Sequence, residues 1–162
     1  MLHHFSFSYH SFSSIEDLPK DDKKLIISSE KALEMAYSVY SGFSVGASLL
    51  LENGEIFTGN NQENIAFPSS MCAERVLLYS CRANFPKLKI KKIAITVNSI
   101  HGKVLSPISP CGACRQVMIE YEQNQKSPIE LLLKGNQDEI YLIKCVEDLL
   151  PLSFKPKVLK HY

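Results

Sequence analysis

The amino-acid sequence predicts an α/β fold in which helices cover the faces of a β-sheet. Segments with the spacing of strands alternate along the chain with segments that carry apolar residues at helical spacing, and this alternation is typical of α/β layered domains. The chain has 162 residues, 45% of them hydrophobic and 22% charged, which suits one globular domain. No repeat or linker divides it, so we expect residues 21–162 to form a single domain after an N-terminal extension, residues 1–20.

The N-terminal extension carries a weak strand pattern. Four aromatic residues alternate there with mostly polar ones, as in an edge strand: Phe5, Phe7, Tyr9 and Phe12. We consider two roles for this segment, an added strand of the sheet and an oligomer contact. The first helix is predicted over residues 21–39, because apolar residues recur there at helical spacing, with acids near the start and Gly42 beyond the end.

Five further segments have the composition of strands: residues 43–51, 55–59, 89–97, 129–133 and 140–143. The first two flank Asn53-Gly54, a dipeptide that favours a tight hairpin turn, so we expect them to pair antiparallel. A second helix is predicted over residues 72–83, and a third from Cys111 through Tyr121 with Pro110 just before it. Two shorter features complete the prediction: a loop over residues 60–71 and a helical turn over residues 146–149.

Three cysteines at metal-ligand spacing are the chemically informative feature of the chain: Cys72, Cys111 and Cys114. The last two are three residues apart, so on a helix both sulfurs face the same side. Thiolates are preferred zinc ligands. A structural zinc site is closed by four protein ligands, whereas a catalytic site keeps three and leaves one position for water. Glu74 follows Cys72 by two residues, and an acid beside three thiolates points to hydrolysis.

The predicted helix starts affect the charge of this group. Helix N-termini carry partial positive charge and lower the pKa of nearby thiols, which favours thiolates before a metal binds. Three thiolates and one Zn²⁺ together have a formal charge of about −1, so the site needs a proton acceptor and a positive group. We expect Glu74 to accept the proton and the adjacent Arg75 to donate hydrogen bonds to the ligand sulfurs.

Other interpretations of the cysteines remain open. A Cys-x-x-Cys tetrad alone is also typical of half a structural zinc knuckle or of a redox pair. A redox pair needs neither a third cysteine nor an acid, while a four-cysteine structural site would have to use Cys81 or Cys145. We expect both of these to be free thiols, because the first lies mid-helix and the second near the end of a strand. A non-enzymatic, zinc-stabilised scaffold is the alternative from a different functional class.

Composition and charge argue against some partners. The formal net charge of +1 gives no basic surface for nucleic acid. No stretch approaches the roughly 18 apolar residues of a membrane span, and residues 1–15 lack the basic residues and the apolar run of a secretory signal. Five cysteines without a dense disulfide pattern are typical of a reducing compartment, so we expect a cytoplasmic protein that binds neither membrane nor nucleic acid.

Two segments, Cys72-Ala73-Glu74-Arg75 and residues 110–116, together resemble the zinc-dependent cytidine deaminases of the short, three-cysteine, homotetrameric type. The similarity extends over about residues 30–154. It implies a three-layer α/β fold with a mixed five-stranded sheet covered by helices. It also implies hydrolytic deamination of cytidine and 2′-deoxycytidine to uridine and 2′-deoxyuridine, with release of ammonia, in pyrimidine salvage. One Zn²⁺ per subunit and a homotetramer with sites near subunit interfaces are implied as well.

The resemblance also implies residues that bind the pyrimidine nucleoside. Asn61 and Glu63 match the residues that hold the ribose hydroxyls. Phe43 matches the aromatic residue that lies against the pyrimidine, and the backbone at Ala73 would contact the base. Phe154 matches a C-terminal aromatic residue that reaches the site of a neighbouring subunit.

The chain departs from the family pattern around the expected sugar pocket. Asn60 replaces a common Cys, Ile65 replaces a small residue, and Phe67 precedes Pro68 where a Tyr is frequent. A deaminase of a modified cytosine nucleoside, such as blasticidin S, is therefore the alternative within the same class. Editing of RNA or DNA is disfavoured, because the chain has no basic stripe and polynucleotide deaminases usually supply a His as the first zinc ligand.

Overall fold

The computed structural model describes residues 1–155, which contain six strands and three α-helices. In chain order these are β1 (Tyr9–Phe12), α1 (Lys20–Leu33), β2 (Phe43–Leu51), β3 (Ile56–Asn60), α2 (Ala73–Asn84), β4 (Ile90–Ser99), α3 (Gly112–Gln125), β5 (Glu130–Lys134) and β6 (Ile140–Ile143). Two 3₁₀ turns lie between these elements, Ile15–Asp17 and Phe67–Ser69, and a third, Val146–Leu149, follows β6. The α/β class expected from the alternation of patterns is confirmed.

The strands form one mixed sheet in the order β1-β6-β5-β4-β2-β3. β4 and β5 run parallel, and the other neighbours are antiparallel. The expected number of five strands is wrong by one, because the N-terminal segment pairs with β6 and places Tyr9 opposite Ile143. This added strand begins at Tyr9, so Phe5 and Phe7 lie outside it.

Helices cover both faces of the sheet and give three layers. The alternation of side chains along a strand sends neighbouring residues to opposite faces. On β4, Ala94 belongs to the apolar cluster that includes Leu25 of α1. Ile95 belongs instead to the cluster that includes Leu77 of α2 and Met118 of α3. The sheet therefore has α1 on one face and α2 with α3 on the other.

Two glycines allow these helices to approach the sheet closely. A Cβ atom added to Gly46 on β2 would lie 2.0 Å from the backbone oxygen of Ser29 in α1. On the opposite face, a Cβ atom at Gly59 on β3 would lie 2.9 Å from the Cβ and the backbone nitrogen of Leu77 in α2. Both clashes involve the backbone of the facing helix, so each could be relieved only by moving that helix.

We expect Gly46→Ala to lower the free energy of unfolding by about 1–3 kcal/mol or more, the usual cost of overpacking a tight core. Urea denaturation followed by circular dichroism measures this loss. Gly112→Ala is the matched control for stability, since a Cβ atom there meets nothing within 4 Å. Equal stability of the Gly46→Ala variant and the unchanged protein would show that α1 can shift freely.

The sequence pattern predicted that the first helix would end at residue 39. This was wrong, because α1 ends at Leu33. The backbone of Tyr37 is used elsewhere: its N–H donates to Asn61 O at 3.0 Å, and its carbonyl accepts from Glu63 N at 2.9 Å. These bonds replace the helical ones and fasten the segment after α1 to the loop after β3. Within residues 1–155, no helix combines the length and the apolar character that crossing a membrane requires.

Candidate active site

The three cysteines meet where two helices begin. Cys72 immediately precedes α2, and Cys111 immediately precedes α3, each with the extended backbone of a helix-capping residue. Cys114 lies in the first turn of α3 and is buried. The Sγ atoms of Cys72 and Cys111 are 3.9 Å apart, and those of Cys111 and Cys114 are 3.3 Å apart. All three sulfurs lie within 4.8 Å of one another.

This sulfur triangle fits a tetrahedral zinc ion. With Zn–S bonds of about 2.3 Å, the ligand sulfurs of such an ion are about 3.8 Å apart, close to the distances in this group. In the part of the chain that the structure describes, no other group of three potential ligands could hold a metal. Cys81 lies in the apolar core, and the Cys145 thiol donates to Glu122 Oε1 at 3.1 Å. The fourth position of a zinc ion here is therefore not supplied by either cysteine.

The group favours a thiolate at Cys72. A hydrogen bond from the Cys114 thiol and the nearby Arg75 guanidinium lower the pKa of Cys72 to about 5. The same hydrogen bond to the Cys72 sulfur raises the pKa of Cys114. Arg75 Nη2 lies 3.8 Å from Cys72 Sγ, so the guanidinium contacts the sulfur of this candidate ligand. The negative charge of the Cys72 thiolate is thus offset by the positive charge of Arg75 in the first turn of α2.

Glu74 is a buried carboxyl group beside the cysteines. Its side chain is only 4% exposed, and it lines the cavity described below. Burial raises the pKa of Glu74 above its ordinary value, and the Cys72 thiolate raises it further. A carboxyl group whose pKa moves toward neutrality can both accept and return a proton. Its environment therefore suits the proton-transfer role expected from the sequence.

We expect Arg75→Ala to weaken zinc retention. Without the guanidinium the pKa of Cys72 rises, so protons compete with the metal at a higher pH, because thiol ligands must lose their protons to bind zinc. The pH at which half of the zinc is lost should therefore move upward, which dialysis at graded pH followed by elemental analysis measures. Arg82→Ala is the control on the same helix, since Arg82 contacts Leu88 O and Tyr121 instead. Identical zinc loss curves for both variants would remove Arg75 from the site.

A cavity of about 380 Å³ opens beside the sulfur triangle. Its volume falls within the range of small-molecule sites, about 300–1,000 Å³. Six of the residues singled out in the sequence line it together: Phe43, Asn61, Glu63, Cys72, Glu74 and Cys111. Cys114 is buried and does not line the cavity. Ala73 is fully buried as the first residue of α2, and Phe154 is 63% exposed. Neither of the last two residues lines the cavity of its own chain.

The amide of Asn61 fastens the cavity wall to the start of β2. Its Oδ1 accepts a hydrogen bond from Val45 N at 2.7 Å, and its Nδ2 donates to Phe43 O at 2.9 Å. An amide can donate two hydrogen bonds and accept two. One N–H and one acceptor position of Asn61 therefore remain for another molecule.

The carboxylate of Glu63 holds the turn before β2. Its Oε2 accepts from Tyr40 N at 2.8 Å and from Ser41 N at 3.2 Å, and its Oε1 accepts from the Ser41 hydroxyl. The bond from the Ser41 hydroxyl, followed by the two backbone bonds, lowers the pKa of Glu63. The group is therefore an ionised acceptor at neutral pH.

Several cavity residues were not found from the sequence. Met71 and Ser109 stand next to segments that carry ligands, so closeness to a ligand was an available signal. Ile95 and Val97 of β4 and Ile108 also line the cavity. The sequence gives Ile95 and Val97 only the pattern of core residues, and the pairing of β4 with β2 sets Val97 opposite Val45, another cavity residue. Ile108 lies in the loop before α3, where no local pattern indicated a role.

Known proteins resemble this chain over most of its length. Residues 19–127 match the family model of the cytidine and deoxycytidylate deaminase zinc-binding region. A cytidine deaminase from Sporosarcina psychrophila is 39% identical over 142 residues, 87% of this chain and 96% of that protein. A cytidine deaminase from Halalkalibacterium halodurans is 35% identical over 134 residues, 83% of this chain and 94% of that protein.

The fold is shared as well. The crystal structure of cytidine deaminase from Burkholderia pseudomallei superposes with a TM-score of 0.69 at 38% identity, covering 81% of this chain and 97% of that chain. Family, sequence relatives and fold agree with the three-cysteine group that fits zinc. The chain therefore belongs to the zinc-binding cytidine and deoxycytidylate deaminase family.

Proposed function

We propose that the protein catalyses the hydrolytic deamination of cytidine and 2′-deoxycytidine, which yields uridine or 2′-deoxyuridine and ammonia. One observation carries this proposal: the buried carboxyl group of Glu74 and two cysteines of the sulfur triangle, Cys72 and Cys111, line the same cavity as two sugar-binding candidates, Asn61 and Glu63. The names of the similar proteins support the same reaction. Its product, a uracil nucleoside, fits a role in pyrimidine salvage.

Cys72, Cys111 and Cys114 would hold the zinc ion, one in each subunit. When bound there, zinc supplies Lewis-acid chemistry that makes water a stronger nucleophile at neutral pH. The hydrogen bond from Cys114 and then the contact with Arg75 lower the pKa of Cys72 and favour its thiolate form. The three cysteines and Arg75 thus form the part of the site that would activate water.

Glu74 moves the protons of the reaction. It takes a proton from the water that attacks C4 of the pyrimidine and delivers it to ring N3. It then carries the second proton of that water to the departing amino group, so one water is consumed and one ammonia is released for each nucleoside. Its burial beside the cavity keeps bulk water from competing for these protons.

The nucleoside is held by side chains on the opposite wall. Phe43 lies against the pyrimidine, while the backbone at Ala73 contacts the base. The free N–H of Asn61 and the free acceptor capacity of Glu63 bind the ribose hydroxyls. Sites built to hydrogen-bond a hydroxyl group reject analogues that lack it strongly, because their polar groups are then left unpaired.

We further propose a homotetramer with sites near the subunit interfaces. Large apolar side chains lie exposed around the segment after β3: Ile65 is 75% and Phe67 68% exposed. Phe67 packs edge-on against Tyr40, with ring centroids 5.9 Å apart, next to the turn that binds Glu63. A neighbouring subunit would cover this surface and bring its own Phe154 to the site. Light scattering on the purified protein should give four times the chain mass. The reduced thiols of the site suit a cytoplasmic location.

The test of the proposed function is ammonia release from a panel of nucleosides. Purified protein with a measured zinc content is incubated with cytidine, 2′-deoxycytidine, blasticidin S and adenosine. We expect release from the first two and none from adenosine. Release from blasticidin S alone would support the modified-nucleoside alternative. A zinc-loaded protein that releases no ammonia from any of them would be a scaffold.

A further inference from the structure

A histidine outside the predicted site contacts the turn that Glu63 binds. Gly42 N donates to Ser38 O at 2.8 Å and closes a turn over residues 38–42, the Ser41 turn. On one side, its Tyr40 and Ser41 groups donate to Glu63. On the other side, ring Nε2 of His101 lies 3.1 Å from Ser41 O. The Ser41 turn is thus held between a carboxylate and an imidazole.

The imidazole is itself held by the end of the sheet. Backbone N of His101 donates to Ser99 Oγ at 3.2 Å, and Ser99 is the last residue of β4, paired with Phe43 of β2. Ile100 N donates to Gly42 O at 3.0 Å and ties the same segment to the turn. The ring therefore projects from a segment whose two preceding residues are fixed, Ser99 within the sheet and Ile100 against the turn.

The space around Gly42 shows how closely His101 packs against the Ser41 turn. A Cβ atom added to Gly42 would lie 2.8 Å from His101 Nε2 and 2.5 Å from Ile100 Cγ1. The φ angle of Gly42 is +62°, a conformation that other residues adopt at a cost. The turn and the segment after β4 therefore pack together at a distance that only glycine permits.

We propose that His101 is a positioning residue for nucleoside binding, which acts through the Ser41 turn on the carboxylate of Glu63. This inference rests on the proposed function, in which Glu63 binds a ribose hydroxyl. An ionised carboxylate offers about four acceptor positions, and three donors of the Ser41 turn use most of them. A ribose hydroxyl can therefore bind only the acceptor position of Glu63 that remains free. A shift of the Ser41 turn would rotate the Glu63 carboxylate and so change the direction of that position.

The kinetic test compares four proteins with cytidine as substrate: the unchanged protein, His101→Ala, His101→Gln and Lys103→Ala. Loss of one exposed hydrogen bond should raise KM about 2- to 10-fold, with kcat within about twofold, because substrate and transition state lose the same contact. The Gln variant retains an N–H donor that can reach Ser41 O, so it should restore KM. Lys103 is exposed in the same segment and serves as the control, with unchanged KM.

Two further measurements separate this role from a general loss of structure. In a Glu63→Gln background, His101→Ala should have no additional effect on KM, because the two residues act on one contact. By amide hydrogen exchange without substrate, the Tyr40 and Ser41 amides should exchange about 2- to 10-fold faster in His101→Ala and return to normal in His101→Gln.

The proposal is overturned if these amides exchange at the same rate in His101→Ala, or if KM rises equally in both Glu63 backgrounds. Failure of the unchanged protein to deaminate cytidine would refute the proposed function instead. In that case the exchange rates still decide whether His101 holds the Ser41 turn.

Discussion

Glu74→Gln should leave zinc binding intact and lower the rate of deamination by several orders of magnitude. Glutamine has the shape of glutamate but cannot take up and return a proton at neutral pH, and positioned acid–base catalysis contributes about 10²- to 10⁴-fold to a rate. In the proposed reaction the same carboxyl group moves two protons, so the loss should lie at the upper end of that range. The measurement is kcat for cytidine, with zinc content determined on the same sample.

The proposed zinc ligands are three cysteines and not Glu74, so the Glu74→Gln variant should still contain zinc in the same amount as the unchanged protein. Its stability should not fall, because burial raises the pKa of Glu74 and makes the ionised form costly in the fold. Glu120→Gln on α3 is the control, a carboxyl group outside the cavity. Turnover near that of the control would remove Glu74 from catalysis and favour the scaffold hypothesis.

Cys114→Ala should abolish both zinc binding and deamination. Cys114 is the buried member of the sulfur triangle, 3.3 Å from the Cys111 sulfur, and two remaining thiolates cannot hold zinc in a three-ligand site. Removal of zinc from the unchanged protein by a chelator should have the same effect on activity. Elemental analysis and kcat measure the two losses.

Cys81→Ala is a closely matched control for this experiment. Cys81 is also a buried cysteine on a helix, but it packs in the apolar core beside Leu77 and Leu78. Its replacement should cost about 1 kcal/mol of stability by leaving a small cavity, while zinc content and turnover stay unchanged. Zinc retained at full content by Cys114→Ala, or lost by Cys81→Ala, would contradict the assignment of ligands.

The parts of the fold that depend on local pattern could be predicted from the sequence. Residues 43–51 form β2 with the bounds expected, because their apolar run ends at a hairpin turn marked by Asn53-Gly54. The second and third helices were expected to begin at Cys72 and Cys111. They begin one residue later, so these two cysteines are the capping residues. The three-cysteine group that fits zinc follows from these local features, since both helix starts carry candidate ligands.

Features that depend on distant pairing could not be predicted. The helical pattern of residues 34–39 was outweighed by two backbone bonds of Tyr37 to the loop after β3. The contact of His101 with Ser41 spans 60 positions in the chain, and no local pattern reports it. The additional strand, β1, had a visible alternation of aromatic and polar residues in the sequence. Only the free edge of β6 explains why Tyr9–Phe12, and not the earlier aromatic residues, form the pairing.

The pairing of β1 with β6 has a consequence for handling the protein. Without its first 12 residues, the sheet would end at β6, whose sequence Ile140-Tyr141-Leu142-Ile143 is apolar and rich in β-branched and aromatic residues. An uncovered edge strand of this composition is a template for aggregation, whereas short, polar-containing edges resist it. The N-terminal segment thus covers this edge, and we expect a chain without it to be insoluble on expression, even though the cavity beside the sulfur triangle is built entirely from later residues.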